Sequence, residues 1–233
     1  YTLGRFQIIA CGQKAEQPGK GQHKTISLLK ALIAFGSVEV SRGRLIDRLW
    51  PDSDGDMGLQ AFKTTLHRLR RLVKSERALA LSEGTLSLDP RYCWVDLWSF
   101  EKLLSQSEFN EALDIRRMEK AIGLYKGLFL EGTEEQWVIP ARERLRDKFI
   151  RYTTVLGCYY EAKEEFDKAI EVYRNGIEIE EHKETFYQRL MLCYKHKGDK
   201  REALRLYALI SKALSEIHQK PSHETEVICR SLS

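Results

Sequence analysis

The sequence predicts a mainly α-helical chain with small β-sheets, built in two successive parts. Three observations predict it. Residues 1–94 alternate between period-two stretches, which read as strands, and period-3.6 stretches, which read as helices. From Val95 onward only helical periodicity remains, and part of it repeats every 34 residues. Charge divides in the same way: residues 1–95 carry 15 Lys and Arg against 9 Asp and Glu, whereas the remainder of this +4 chain is slightly acidic.

In the first part, "TLGRFQIIACGQKAEQ" reads as a strand or hairpin with its turn near Gly12. "KTISLLKALIAFG" sets Ile26, Leu29, Leu32 and Ile33 on one stripe, an amphipathic helix ended by Gly36. Ser41 can cap a second helix, "RGRLIDRLW", which Pro51 stops. "PDSDGDMG" is a polar loop. A third helix then covers residues 58–74, with Asp56 as its expected cap, and "LALSEGTLSLDP" alternates on both sides of Glu83-Gly84 as a hairpin. Three helices followed directly by a hairpin is the winged-helix order, in which the third helix enters a DNA groove and the hairpin flanks it.

In the second part, Leu156, Tyr160, Ala169, Ile170 and Tyr173 each have a counterpart 34 residues on, at Leu190, Tyr194, Ala203, Leu204 and Tyr207. A period of 34 with a small Ala between aromatics is the tetratricopeptide pattern: the Ala lets paired helices approach while Tyr and Leu fill the space beside it. Ala121 and Tyr125 keep the same four-residue step and mark the second helix of an irregular earlier unit.

The third helix carries the function. "AFKTTLHRLRRLVK" holds five Lys and Arg residues, one His and no acid. Leu59, Phe62, Leu66, Leu69 and Val73 form its buried seam. Ala61, Thr64, Thr65, Arg68 and Arg71 form the expected opposite face, with Lys63, His67, Arg70 and Lys74 flanking. Small residues allow close approach of the backbone, Thr methyls can meet thymine methyls, and Arg can reach a guanine edge or a phosphate. A helix made only for solubility more commonly alternates Glu with Lys.

With these residues in place, the chain resembles the Streptomyces antibiotic regulatory protein (SARP) activators. "SRGRLIDRLWPD", "LQAFKTTLHRLRRLV" and "LSEGTLSLDPRYCWVDLWSFEKLL" are similar to their OmpR-type winged helix-turn-helix domain. "VDLWSFEKLL", "YKGLFLEG" with Trp137 and "ARERL" after it, "LMLCYKHKGDKREALRLY" and "KPSHET" are similar to the bacterial transcriptional activator domain that follows it. The resemblance implies a DNA-binding domain at 1–94 and an all-α, tetratricopeptide-like activator domain at 95–233. It implies a cytoplasmic protein that binds double-stranded DNA at promoter direct repeats and recruits RNA polymerase. By match to "HRLRRL", Arg68 is the leading base or groove contact. Ala61, Thr64 and Thr65 line the groove, and Lys63, His67 and Arg71 are phosphate contacts. The loop Pro51–Gly58, with Asp52, Asp54 and Asp56, maps to the polymerase-touching loop. A homodimer on the repeats, and a sensor or receiver domain upstream in a longer parent chain, fit the same expectation. Two departures stand out: Glu83 at the wing tip opposes phosphate, and Glu181 and Ser215 occupy usual tetratricopeptide proline positions. Arg77 and Arg91 remain as backbone contacts beside the wing.

Other chemistry is less well supported. No apolar run approaches the ~20 residues of a membrane helix, and the start lacks a signal-peptide pattern as well as Met, as an excerpt of a longer chain would. The five cysteines are scattered, without the spacing of a disulfide framework or zinc site. "DSDGDMGLQAFK" fails a calcium loop at Met57 and Lys63. "PGKGQHKT" lacks phosphate-loop spacing and reads as a surface turn that leads the basic residues Lys20, His23 and Lys24 into the first helix, whose free amides could hold a DNA phosphate. The histidines form no metal pair, and neither a cofactor nor catalysis is expected. Trp50, Trp94, Trp98 and Trp137 read as packing anchors, with Trp94 and Trp98 placed at the junction of the two parts. The rival reading is a tetratricopeptide scaffold whose basic part docks an acidic protein instead of DNA.

Overall fold

The computed structural model describes residues 1–15, 23–105 and 111–232, with the side chains of 111–113 excepted. Lys20, in the turn before the first helix, lies outside the described residues. By packing, the chain forms two compact units: Tyr1–Ser99 with Gly127–Leu145, and Phe100–Lys126 with Arg146–Ser233.

The first unit opens with strands β1 (Ile9–Ala10) and β2 (Gln13–Lys14), paired antiparallel around Cys11-Gly12. Both turn residues have positive φ, as a tight hairpin requires. Helix α1 (His23–Ala34) buries Leu28, Leu29, Leu32 and Ile33, and the chain leaves it through Gly36 at φ 113°. Strand β3 (Val40–Ser41) leads into α2 (Arg42–Leu49), whose first turn is capped by the Ser41 side chain accepting from the Arg44 amide at 3.4 Å. Helix α3 (Gly55–Leu72) packs on α1, with Phe62, Leu66 and Leu69 buried. It starts three residues earlier than its apolar periodicity suggests. Asp54, not Asp56, is the residue before its first turn, and Asp56 lies inside that turn. Strands β4 (Leu79–Ser82) and β5 (Thr85–Leu88) form the hairpin, and β3 completes a sheet of order β3-β5-β4.

A second set of bonds closes this unit. Asp96, buried at the start of α4 (Asp96–Ser105), accepts from the amides of Thr2 and Leu3 and from the Thr2 hydroxyl. Leu3 forms a bridge with Phe129, and the Arg142 guanidinium binds the carbonyls of Phe129, Leu130 and Thr133. Residues 127–145 are thereby grouped with the first unit, although their helical pattern continues the second part of the sequence. Trp98 donates to the Ser37 hydroxyl at 3.0 Å. Trp94 departs from its expected role as a packing anchor: it is 52% exposed, with the Tyr1 ring edge-on to it and its indole N–H donating to the Ser99 hydroxyl at 2.7 Å.

The second unit holds the repeats. Helix α5 (Glu111–Leu124) buries Ala121, and Tyr125 beyond it stacks on Phe149 at 4.5 Å. Helix α6 (Ile139–Ala162) tolerates Pro140 because it falls in the first turn, where the missing amide costs nothing. The C-terminal part of α6 and α7 (Phe166–Ile179) form one repeat, and α8 (Glu184–His196) with α9 (Lys200–Glu216) the next. Ala169 and Ala203 are fully buried, as their spacing predicts. The two repeat turns are equivalent as well: Glu164 and Gly198, 34 apart, both have positive φ, at 59° and 76°. Helix α9 runs through Ser215, so the position where a proline is usual stays helical. The short α10 (His223–Arg230) explains "KPSHET". Ser222 caps it, and Glu184 accepts from the Ser222 amide at 2.8 Å and from the hydroxyls of Ser222 and Thr225.

Candidate nucleic-acid interface

Helix α3 is positioned by a close crossing with α2. A methyl group at Gly58 would sit 2.8 Å from the Ile46 side chain, so glycine permits this approach. At the other end the Arg70 guanidinium donates to the Leu79 carbonyl at 2.8 Å, joining α3 to the first strand of the hairpin. The hairpin tip is tied to α2 through the Arg42 amide and the Gly84 carbonyl at 2.8 Å. Glu83 and Gly84 both adopt positive φ at this tip, and Glu83 is exposed. Second helix, third helix and hairpin are thus held by backbone and seam contacts that leave the outer face of α3 unoccupied.

That face carries Thr64, His67, Arg68 and Arg71, all exposed, with exposed Lys63 at its edge. Ala61 is half-buried. Thr65 does not belong to the expected face: it is 6% exposed. It lies three residues after Phe62 and four before Leu69, so it joins the buried seam. Gln60 and Met57 occupy the outer face one and two turns before Thr64, and both are exposed. Gln60 lies inside the expected helix 58–74 but before Ala61, where the assigned outer face begins; the observed start at Gly55 extends that row back through it to Met57. An amide there can pair with an adenine edge. None of the outward residues of α3 from Lys63 to Arg71 is acidic, so the face is positive along two turns.

The remaining expected contacts separate. Arg91 is engaged by Asp89 through its Nε and Nη2, at 3.0 and 2.6 Å; this hydrogen bonding holds the Asp89 carboxyl below the usual carboxylate range and raises Arg91. Arg77 is exposed beside the Tyr92 ring. Lys24 donates to the Leu49 carbonyl at 2.5 Å, so it caps the end of α2 instead of standing free for phosphate. His23 is exposed at the first position of α1. Pro51, Asp52, Asp54 and Asp56 are all exposed, with Asp56 on helix and the other three before it. Among the described residues no group of three His, Cys, Asp or Glu side chains could hold a metal ion, and no helix is long and apolar enough to cross a membrane.

Comparison with known proteins places these elements. The chain is 27% identical over 231 residues to the regulatory protein AfsR of Streptomyces coelicolor, covering 92% of this chain and 22% of that protein. It therefore spans about a fifth of that relative's length. Its fold is similar to the solved structure of EmbR from Mycobacterium tuberculosis in complex with a low-affinity phosphopeptide, with a TM-score of 0.70 and 17% identity over 99% of this chain and 63% of that one. The profile of the bacterial transcriptional activator domain matches residues 95–231. This match exceeds half of the sequence and agrees with the resemblance to SARP-type activators; the chain belongs to the bacterial transcriptional activator domain family, a regulatory family and not one of enzymes.

Proposed function

We propose that this chain binds duplex DNA in a sequence-specific manner, with α3 in the major groove, and that it activates transcription by recruiting RNA polymerase. The observation that supports this reading best is the outer face of α3: Thr64, His67, Arg68 and Arg71 are exposed together, Lys63 flanks them, and no acid interrupts them. Affinity would come from phosphate neutralisation by Lys63, His67 when protonated, and Arg71. Specificity would come from Arg68 and Thr64, with Gln60 added and Thr65 withdrawn to a packing role. Ala61 stays as the small residue that admits close approach. Residues 1–94 act as the DNA-binding domain, and 95–233 serve regulation, partner contact or dimerisation on promoter repeats. Pro51, Asp52, Asp54 and Asp56 offer polymerase an exposed acidic turn. A cytoplasmic setting and an upstream sensor or receiver domain complete the proposal.

Selection of bound duplexes from a random pool, followed by titration across salt, tests it. A reader of DNA loses affinity steeply with salt yet keeps a preference for one sequence. A scaffold that docks an acidic protein shows neither property. A good bidentate Arg–guanine contact is worth about 1–3 kcal/mol against the wrong base. Arg68→Ala should therefore flatten the preference, and Lys63→Ala or Arg71→Ala should weaken all duplexes alike.

A further inference from the structure

A groove runs between α5 and α7 on the second unit, floored by α6, and encloses about 540 Å³. Its floor is apolar, with Phe149 and Leu156 of α6 and Ile122 of α5 beside them. One wall is a single stripe of α7, Glu171, Asn175 and Glu178, whose four- and three-residue steps put them on one helix face. All three are exposed, and among the described residues none makes a side-chain hydrogen bond or ion pair. On the opposite wall Gly123 leaves a gap: a methyl built there meets no atom within 4 Å. Two lysines also line the groove. Lys168 is already paired with Glu165 at 2.5 Å, and the Glu119 carboxylate accepts from the Tyr160 hydroxyl, which leaves Glu171 and Glu178 as the carboxylates open to an incoming cation.

We propose that this groove docks a basic amphipathic helix of a partner protein. Three features select that occupant. The carboxylates exclude nucleic acid and acidic segments by like-charge repulsion. Glu171 and Glu178 are seven residues apart, about 10.5 Å along α7, and a helix lying beside it presents its own residues i and i+7 at the same pitch. Lys or Arg at those two positions then meets the two carboxylates, while apolar residues at i+3 and i+4 enter over Leu156 and Val172, as in other helix-in-groove complexes. The enclosed volume falls within the roughly 300–1,000 Å³ of ordinary binding clefts.

The test uses the full chain and a fluorescein-labelled helical peptide with two lysines seven residues apart, two leucines between them, and alanine and glutamine elsewhere. Anisotropy should show saturable binding. The Glu171→Gln/Glu178→Gln variant should bind about tenfold more weakly at low salt, as two partly exposed ion pairs allow. Gly123→Leu, which fills the gap, should abolish saturable binding with circular dichroism unchanged. A peptide with glutamates in place of its lysines should fail to bind. The proposal is overturned if the wild-type chain shows no saturable binding, if Gly123→Leu binds as well as wild type, or if the glutamate peptide binds equally. Should Gly123→Leu lose helicity, the two exposed glutamate substitutions decide alone: unchanged affinity there also overturns it.

Discussion

A methyl group added at Gly157 tests how the first repeat is packed. Gly157 sits on α6 where α7 crosses closest: an added Cβ would fall 2.2 Å from Tyr173 Cζ and 2.5 Å from its hydroxyl oxygen. Tyr173 has no room to retreat, being fully buried with its hydroxyl donating to Glu161 at 2.5 Å. Gly157→Ala therefore requires a shift of at least an ångström in a close-packed site. Overpacking of this kind costs roughly 1–3 kcal/mol, and a strained or lost hydrogen bond adds about 1 kcal/mol. Against this, alanine gains about 1 kcal/mol over glycine in a helix interior. The balance is a loss of about 1–3 kcal/mol. Urea denaturation followed by far-ultraviolet circular dichroism measures it, since the helices of the second unit dominate that signal. The four tryptophans all fall in the first unit, so their fluorescence reports that unit in parallel. Gly157→Ala/Tyr173→Leu, which removes the obstructing ring, should cost less than the sum of its single substitutions. An alanine variant more stable than wild type by about the helix-propensity gain would refute this account of the α6–α7 contact.

Other predictions follow from individual contacts. Glu164 is held in the left-handed region where the next repeat has Gly198, so Glu164→Gly should stabilise the chain by about 1 kcal/mol in the same denaturation assay. Thr225 is fully buried between Gln188 and Glu184; Thr225→Val should cost about 1–3 kcal/mol by removing the hydroxyl that both bind and leaving each with Ser222, read as an earlier unfolding midpoint. Burial pushes the thiol of Cys193 up to about 12 and that of Cys93 up to about 11, from an ordinary value of 9.0. The folded state thus keeps protons that the unfolded chain releases. Their contribution is complete below pH 9 and is lost as pH rises toward 11–12; Cys193→Ala should flatten the fall in stability over that range. Asp96→Ala strands the buried amides of Thr2 and Leu3 and the Thr2 hydroxyl. It should raise amide hydrogen exchange at Thr2 and Leu3 well above that of α1, and unchanged exchange would contradict this tie.

Much of the fold was legible because its signals are local. Helix periodicity marked α1, α2 and α3, the Ser41 cap and the Glu83-Gly84 turn each depend on residues within a few positions, and the repeat was visible as identities 34 apart. The helix start at Gly55 was less legible. Its first turn has no apolar periodicity, and Gly58 fits closely against Ile46, a contact that no local pattern announces. The candidate site was read in most of its members. Thr65 was misplaced because a wheel drawn from Ala61 and Thr64 leaves its side ambiguous, and burial against the seam resolves it. Gln60 was missed for the complementary reason.

By itself the sequence determined the kind of elements, their order, the basic character of the third helix and the tetratricopeptide spacing, since all of these follow from side-chain type at short separation. Tertiary structure decided what depends on distance in space. It withdrew Lys24 into contact with a helix end, tied residues 127–145 to the first unit through the Leu3–Phe129 bridge and the Lys30–Thr133 hydrogen bond, and left Glu171, Asn175 and Glu178 facing an open groove. Whether a charged side chain is free for a partner depends on which carbonyl or carboxylate lies within about 3 Å of it, and the order of residues along the chain does not specify that.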